Sequence, residues 1–220
     1  MTLIKICGIT TSEAAIDCFN VGANLIGLVH YPPSPRHLSA TKIHKILDDI
    51  GEYGRYALVV VDQLPDEQIV SRFHLVQSYG NISDKISIPL LRVIKDYETY
   101  ARILKSPTED WELRKPPRET DIPLYCLEMS QGLLPGGNGA AWDWSVARPF
   151  CERYPTFIAG GITPENVADI IRLANPWGID VSSGVESAPG VKDMDKVKRL
   201  IENVHKALIH KEDHHENSTT

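Results

Sequence analysis

Residues 156–186 read TFIAGGITPENVADIIRLANPWGIDVSSGVE, and the fold is decided in this stretch. A short apolar run at 156–159 ends on Gly160-Gly161. Thr163-Pro164-Glu165 then offers an N-cap, a proline at the first helical position and an acid beside the positive helix end. That pattern predicts a helix over 164–174. A second short apolar run follows at 178–181 and ends on Ser182-Ser183-Gly184. Apolar run, amphipathic helix and apolar run together make a βαβ unit. Parallel strands buried on both faces read as such unbroken apolar runs.

The unit recurs outward through the chain. Apolar runs at 3–7, 25–30, 56–61, 73–77, 88–94 and 124–128 read as six further strands. Helices are expected at 12–21, 40–50, 65–72, 96–105, 144–153 and 193–210, with Ser39 as the cap of the second. The connection 80–87 is too short for a full helix. Eight strands alternating with seven or eight helices predict an α/β fold, a (β/α)8 TIM barrel in a single domain. An open doubly wound sheet uses the same alternation, and strand count alone does not show closure. Residues 1–210 form the expected barrel. A polar excursion at 106–121 (SPTEDWELRKPPRETD) interrupts it, and 211–220 is expected to be a polar tail.

Composition sets outer bounds. The chain has 220 residues, 29 Asp+Glu against 23 Lys+Arg, a net charge of −6 and 42% hydrophobic residues. That is ample for a real core, and the acidic balance gives no overall footprint for nucleic acid. No apolar run nears the roughly 20 residues that span a bilayer, so no membrane association is expected. The N-terminal MTLIKICGITTSEAA lacks the pattern of a secretory signal. Cys7, Cys18, Cys126 and Cys151 contain no CxxC pair for a metal or a redox disulfide. A cytoplasmic setting follows as the expectation.

In a β/α barrel the chemistry sits at the C-terminal ends of the strands. Cys7 is the last residue of the first strand, ahead of Gly8, where a thiolate could act as a general base. Arg36 follows the second strand in a proline-stiffened loop, Tyr31-Pro32-Pro33-Ser34-Pro35-Arg36, and can grip a carboxylate through two parallel hydrogen bonds. Gly136-Gly137-Asn138-Gly139 follows the sixth strand, Gly160-Gly161 the seventh and Ser182-Ser183-Gly184 the eighth. Exposed backbone N–H groups in such loops hold phosphate without needing lysines. The rim therefore points to a phosphorylated sugar.

The segments KICGIT (5–10), YPPSPRHLS (31–39), GGNGAAWDWS (136–145), AGGITPENV (159–167) and IDVSSGVESAPGVKD (179–193) resemble phosphoribosylanthranilate isomerase, a β/α-barrel family of tryptophan biosynthesis. The resemblance implies an Amadori rearrangement, the conversion of an aminoaldose phosphate into a 1-amino-1-deoxyketose phosphate. It implies no metal and no organic cofactor, because the protonated imine is itself the electron sink. By motif, Cys7 resembles the base and Arg36 the holder of the anthranilate carboxylate. Gly160, Gly161, Ser182, Ser183 and Gly184 resemble the phosphate cradle, and Gly137 and Gly139 lie in a substrate-closing loop. Family members are monomers or homodimers.

Two positions depart from the family pattern. Its general acid is an aspartate in a segment resembling LLDT, where this chain reads Leu124-Tyr125-Cys126-Leu127-Glu128-Met129-Ser130. Glu128 is the nearest acid. Counting from flanking motifs places Met129 or Leu127 at the aspartate's position instead, and one residue of offset reverses the side chain's direction. The family's VQLHG is Val76-Gln77-Ser78-Tyr79-Gly80 here, so Tyr79 stands where a substrate-binding histidine is expected. Two other readings stay open: a phosphosugar barrel with a different enolisation, and a non-catalytic ligand-binding paralogue.

Overall fold

The computed structural model describes residues 2–82, 86–105, 123–129 and 141–216, with side chains to residue 209. Eight parallel strands close into a barrel in sequence order. They are β1 Leu3–Cys7, β2 Leu25–Val29, β3 Tyr56–Val60, β4 Leu75–Ser78, β5 Leu90–Ile94, β6 Leu124–Leu127, β7 Thr156–Ala159 and β8 Gly178–Val181. Pairing of Leu3 with Gly178 through Ile6 with Val181 joins β1 to β8 and rules out the open sheet.

The helices are α1 Ser12–Asn20, α2 Ala40–Ile50, α3 Glu67–Val70, α4 Tyr97–Lys105, α5 Arg148–Cys151, α6 Val167–Ala174 and α7 Met194–Glu216. Ser39 caps α2 as expected, its hydroxyl accepting from Lys42 N at 3.3 Å. Several boundaries differ from the sequence reading. The expected helix at 65–72 is a single turn. The one at 144–153 is a 3-10 turn, Trp144–Ala147, followed by α5, because Pro149 in the first turn has no N–H to continue a ladder. The regular helix α6 starts at Val167, after a turn over 164–166. Thr163 heads that turn as the expected cap, its Oγ1 accepting from Glu165 N at 3.2 Å and its carbonyl from Val167 N at 3.2 Å. α7 runs to Glu216 across the expected polar tail, where no Gly or Pro stops it. No helix occurs between β4 and β5 among the described residues. The 106–121 excursion lies outside them. A short hairpin, β9 Glu186–Ala188 with β10 Val191–Lys192, was not anticipated. Its signal was Pro189-Gly190, with Gly190 at φ +82.

Side-chain alternation divides the barrel into two surfaces. Ile4, Ile6, Leu28, Leu58, Val76, Tyr125, Leu127 and Ile179 pack outward into the core beneath the helices. Leu25, Ala57, Leu91, Cys126, Phe157 and Ala159 fill the barrel interior. Among the described residues no helix is long and apolar enough to cross a membrane.

Candidate active site

A cleft open to solvent lies at the C-terminal end of the barrel. Cys7, Arg36, Tyr79, Glu128, Gly160, Gly161, Ser182, Ser183 and Gly184 all line it. Alternation explains why β6 delivers its acid there. Cys126 points into the barrel and Leu127 outward, so Glu128 faces inward again and Met129 returns to the outer core. Of the three alignments the sequence left open, only the one that uses Glu128 puts an acid in the cleft. Glu128 is 3% exposed, and its Oε2 accepts from the Tyr79 hydroxyl at 2.6 Å.

Beneath Cys7 lies a charged layer that sequence reasoning missed. Lys5, fully buried, sits two residues earlier on the same face of β1 and donates to Asp180 Oδ1 at 2.8 Å. Gln77 Nε2 donates to Asp180 Oδ2 at 3.0 Å. Burial opposes the Lys5 charge, but Asp180 and then Cys7 outweigh it and raise its pKa. For Cys7, burial pushes the thiol up, and the Lys5 ammonium is the largest influence pulling it down. The signal was present in the sequence as a charge inside each apolar strand, LIKIC and GIDV. Gly27 makes the layer possible. A Cβ there would lie 2.8 Å from Cys7 Sγ and 3.1 Å from Lys5 Nζ.

Arg36 is brought in by a run of turns. Ser34 N donates to Tyr31 O at 2.9 Å, and Arg36 N donates to Ser34 Oγ at 3.2 Å. The guanidinium then crosses over Gly8, whose φ is +75 and where a Cβ would collide with Arg36 Cδ. The structure supplies a partner the sequence did not suggest. Arg36 Nε and Nη2 donate to Glu186 at 2.9 and 2.6 Å. Lys192 Nζ and Gly190 N also donate to Glu186 Oε1, at 2.7 and 3.2 Å. Despite burial, which pushes it up, these cations hold the Glu186 carboxyl below its ordinary value.

The opposite rim presents backbone. Gly160 and Gly161 have φ of +88 and +69, a region that favours glycine. Asn166 Nδ2 donates to Gly161 O at 2.9 Å and steadies that loop. Gly184 passes so close to Ile162 O that a Cβ would overlap it. Among the described residues, outside the strand ladders, no backbone carbonyl takes the N–H of Gly160, Gly161, Ser182, Ser183 or Gly184. The buried Ser182 Oγ also has no hydrogen-bond partner among the described residues. Gly137 and Gly139 lie outside the described residues.

The family model for N-(5'phosphoribosyl)anthranilate (PRA) isomerase matches residues 4–203. The chain belongs to this family. An N-(5'-phosphoribosyl)anthranilate isomerase of Desulfatibacillum aliphaticivorans is 38% identical over 213 residues, covering 91% of this chain and 91% of the relative. The crystal structure of the Thermotoga maritima phosphoribosyl anthranilate isomerase is 28% identical, with a TM-score of 0.77 over 94% of this chain and 100% of that one. Another solved isomerase, in complex with reduced 1-(o-carboxyphenylamino)-1-deoxyribulose 5-phosphate, is 27% identical. It superposes with a TM-score of 0.74 over 94% of this chain and 100% of its own. The family's fold and its place among the isomerases of tryptophan biosynthesis therefore hold for this chain.

Proposed function

We propose that the protein isomerises N-(5'-phosphoribosyl)anthranilate to 1-(o-carboxyphenylamino)-1-deoxyribulose 5-phosphate, with Glu128 as acid and Cys7 as base. The observation that carries the reading is that both groups line one cleft, together with the Gly160–Gly161 and Ser182–Gly184 rim segments and a buried arginine. The N–H groups of Gly160, Gly161, Ser182, Ser183 and Gly184, with the Ser182 hydroxyl, bind the phosphate. Arg36 takes the anthranilate carboxylate. Glu186 uses its Nε and one Nη2 hydrogen, and the guanidinium's outer edge keeps Nη1 and the second Nη2 hydrogen for a second carboxylate. The resemblance assigns a substrate contact to Gly137 and Gly139 as well, which follow β6 in the sequence.

Glu128 donates a proton to the furanose ring oxygen. The C1′–O bond breaks, and the nitrogen lone pair forms an iminium ion. Cys7, as thiolate, removes the C2′ proton, and the electron pair moves into the C1′–C2′ bond to give an enolamine. Tautomerisation then yields the ketone. Burial raises the pKa of Cys7 and so favours its thiol form. Formation of the cationic iminium beside it, above the Lys5 ammonium, favours the thiolate when the base is needed. The phosphosugar class of the ligand and a cytoplasmic setting accord with this reading.

Rescue of a tryptophan auxotroph lacking the isomerase tests it. Growth without tryptophan is expected from the wild-type gene and not from Cys7→Ala. Failure of well-expressed wild-type protein sinks the reading and favours a different enolisation.

A further inference from the structure

The Tyr79 phenol lines the cleft, yet the scheme above gives it no task. Its hydroxyl donates to Glu128 Oε2 at 2.6 Å, a short bond of the kind made to carboxyl groups. Tyr79 follows β4 and Glu128 follows β6, with β5 between them, and each is anchored by its backbone to a neighbouring strand. Tyr79 N donates to Val60 O at 3.1 Å, and Glu128 N donates to Ile94 O at 3.0 Å. The ring packs against the Cys7, Val29 and Val59 cluster, which fixes the direction in which the hydroxyl points. Burial and then the Glu128 carboxyl push the phenol well above its ordinary pKa, so it stays a donor across the neutral range.

The two positions at which the chain departs from the pattern it resembles are thus in contact. A glutamate carries one more methylene and one more torsion than an aspartate. Left to itself, that arm spreads over several rotamers, and a misplacement near 1 Å costs about 100-fold.

We propose that Tyr79 is a positioning residue for Glu128: it engages Oε2 as acceptor, fixes the longer arm in one orientation and leaves the transferable proton on Oε1. Tyr79 and Glu128 then substitute as a unit for the family's histidine and aspartate. The proposal rests on the reading of Glu128 as the acid. Among the described residues, the other titratable or charged groups facing the pair are Cys126 on β6, Asp180 on β8, Cys7 with Lys5 on β1, and Arg36 after β2. Lys95 Nζ lies 6.0 Å from the Tyr79 ring. None of these is altered in the test.

The experiment measures kcat, KM and their pH profiles for purified wild type, Tyr79→Phe, Glu128→Gln and the double variant, with a melting curve for each. Tyr79→Phe is expected to lower kcat by about 10- to 100-fold with KM within about threefold. It also moves the alkaline limb of the kcat/KM profile upward, because a hydrogen bond that favours the carboxylate is gone. In the Glu128→Gln background the same change costs less than about twofold. Glu128→Asp, which withdraws the carboxyl from an intact Tyr79, loses activity similarly, and adding Tyr79→His to it recovers at least about tenfold. Equal losses in both backgrounds, or Tyr79→Phe within twofold of wild type, overturn the proposal. An inactive wild type would overturn the function instead. The pair is then tested by the 13C NMR titration of the Glu128 carboxyl, where an unchanged midpoint in Tyr79→Phe counts against it.

Discussion

Asp180→Asn removes one negative charge from the middle of the barrel and leaves the volume unchanged. In the structure Asp180 receives Lys5 at 2.8 Å on one oxygen and Gln77 at 3.0 Å on the other, and Lys5 has no exposed surface. An asparagine keeps one acceptor and turns the other into a donor. The Asn oxygen can still accept from Lys5, and Gln77 can flip to accept from its amide through an Oε1 with no hydrogen-bond partner among the described residues, but the Lys5 ammonium no longer faces a negative charge. Leaving a buried charge without its partner costs about 3–5 kcal/mol. At roughly 2–4 °C per kcal/mol for a chain of this size, the melting temperature falls by about 6–20 °C. Scanning calorimetry at pH 7, with reversibility checked, reads this directly. The double change Lys5→Met with Asp180→Leu removes both charges and is expected to cost less than the two single changes together. A loss below about 1 kcal/mol for Asp180→Asn, or simple additivity in the double variant, would refute the buried pair as described.

Cys7→Ala and Glu128→Gln remove proton transfer but no binding group, so calorimetric titration should find the reduced ketose phosphate bound within about threefold of wild type. Alkylation of Cys7, followed by mass spectrometry of its peptide, should keep rising with pH beyond the ordinary thiol range, because burial raises its pKa. Asp180→Asn should quicken this reaction and Lys5→Met should slow it. Gly184→Ala drives a methyl into Ile162 O; urea titration should show a loss of about 1–3 kcal/mol, with phosphate affinity reduced. Glu186 has a lowered pKa in the folded state. Its contribution to stability is therefore complete above the ordinary carboxylate range and lost as pH falls through the folded value. Glu186→Gln should melt lower than wild type at pH 7, with the gap narrowing below about pH 4.

The barrel was legible because each strand carries a short, mostly apolar run and amphipathic stretches alternate with these runs. Closure was not, since Leu3 and Gly178 lie at opposite ends of the chain and no local pattern records their pairing. The short helices were overestimated where Pro149 cuts a periodic stretch in two. At the site, Cys7 and the glycine loops were readable from position alone. Whether the Glu128 side chain reaches the site was readable only to within one residue, and the inward-facing Cys126 two positions earlier accounts for its place in the cleft. The Arg36–Glu186 bond joins residues 150 positions apart, and the Tyr79–Glu128 bond joins residues 49 apart. Such pairings follow from the closed fold and leave no spacing signal. Lys5 and Asp180 did leave one, as charges inside apolar strands, and their burial turns that anomaly into support for the base.

The central claim is that Glu128 and Cys7 together carry out the rearrangement. Turnover of N-(5'-phosphoribosyl)anthranilate by purified protein, followed by NMR of the sugar carbons, tests it most directly. The account predicts a 2-ketose phosphate from the wild type and rates at least about 100-fold lower from both Cys7→Ala and Glu128→Gln. No conversion by folded wild type, or wild-type rates from either variant, would contradict it.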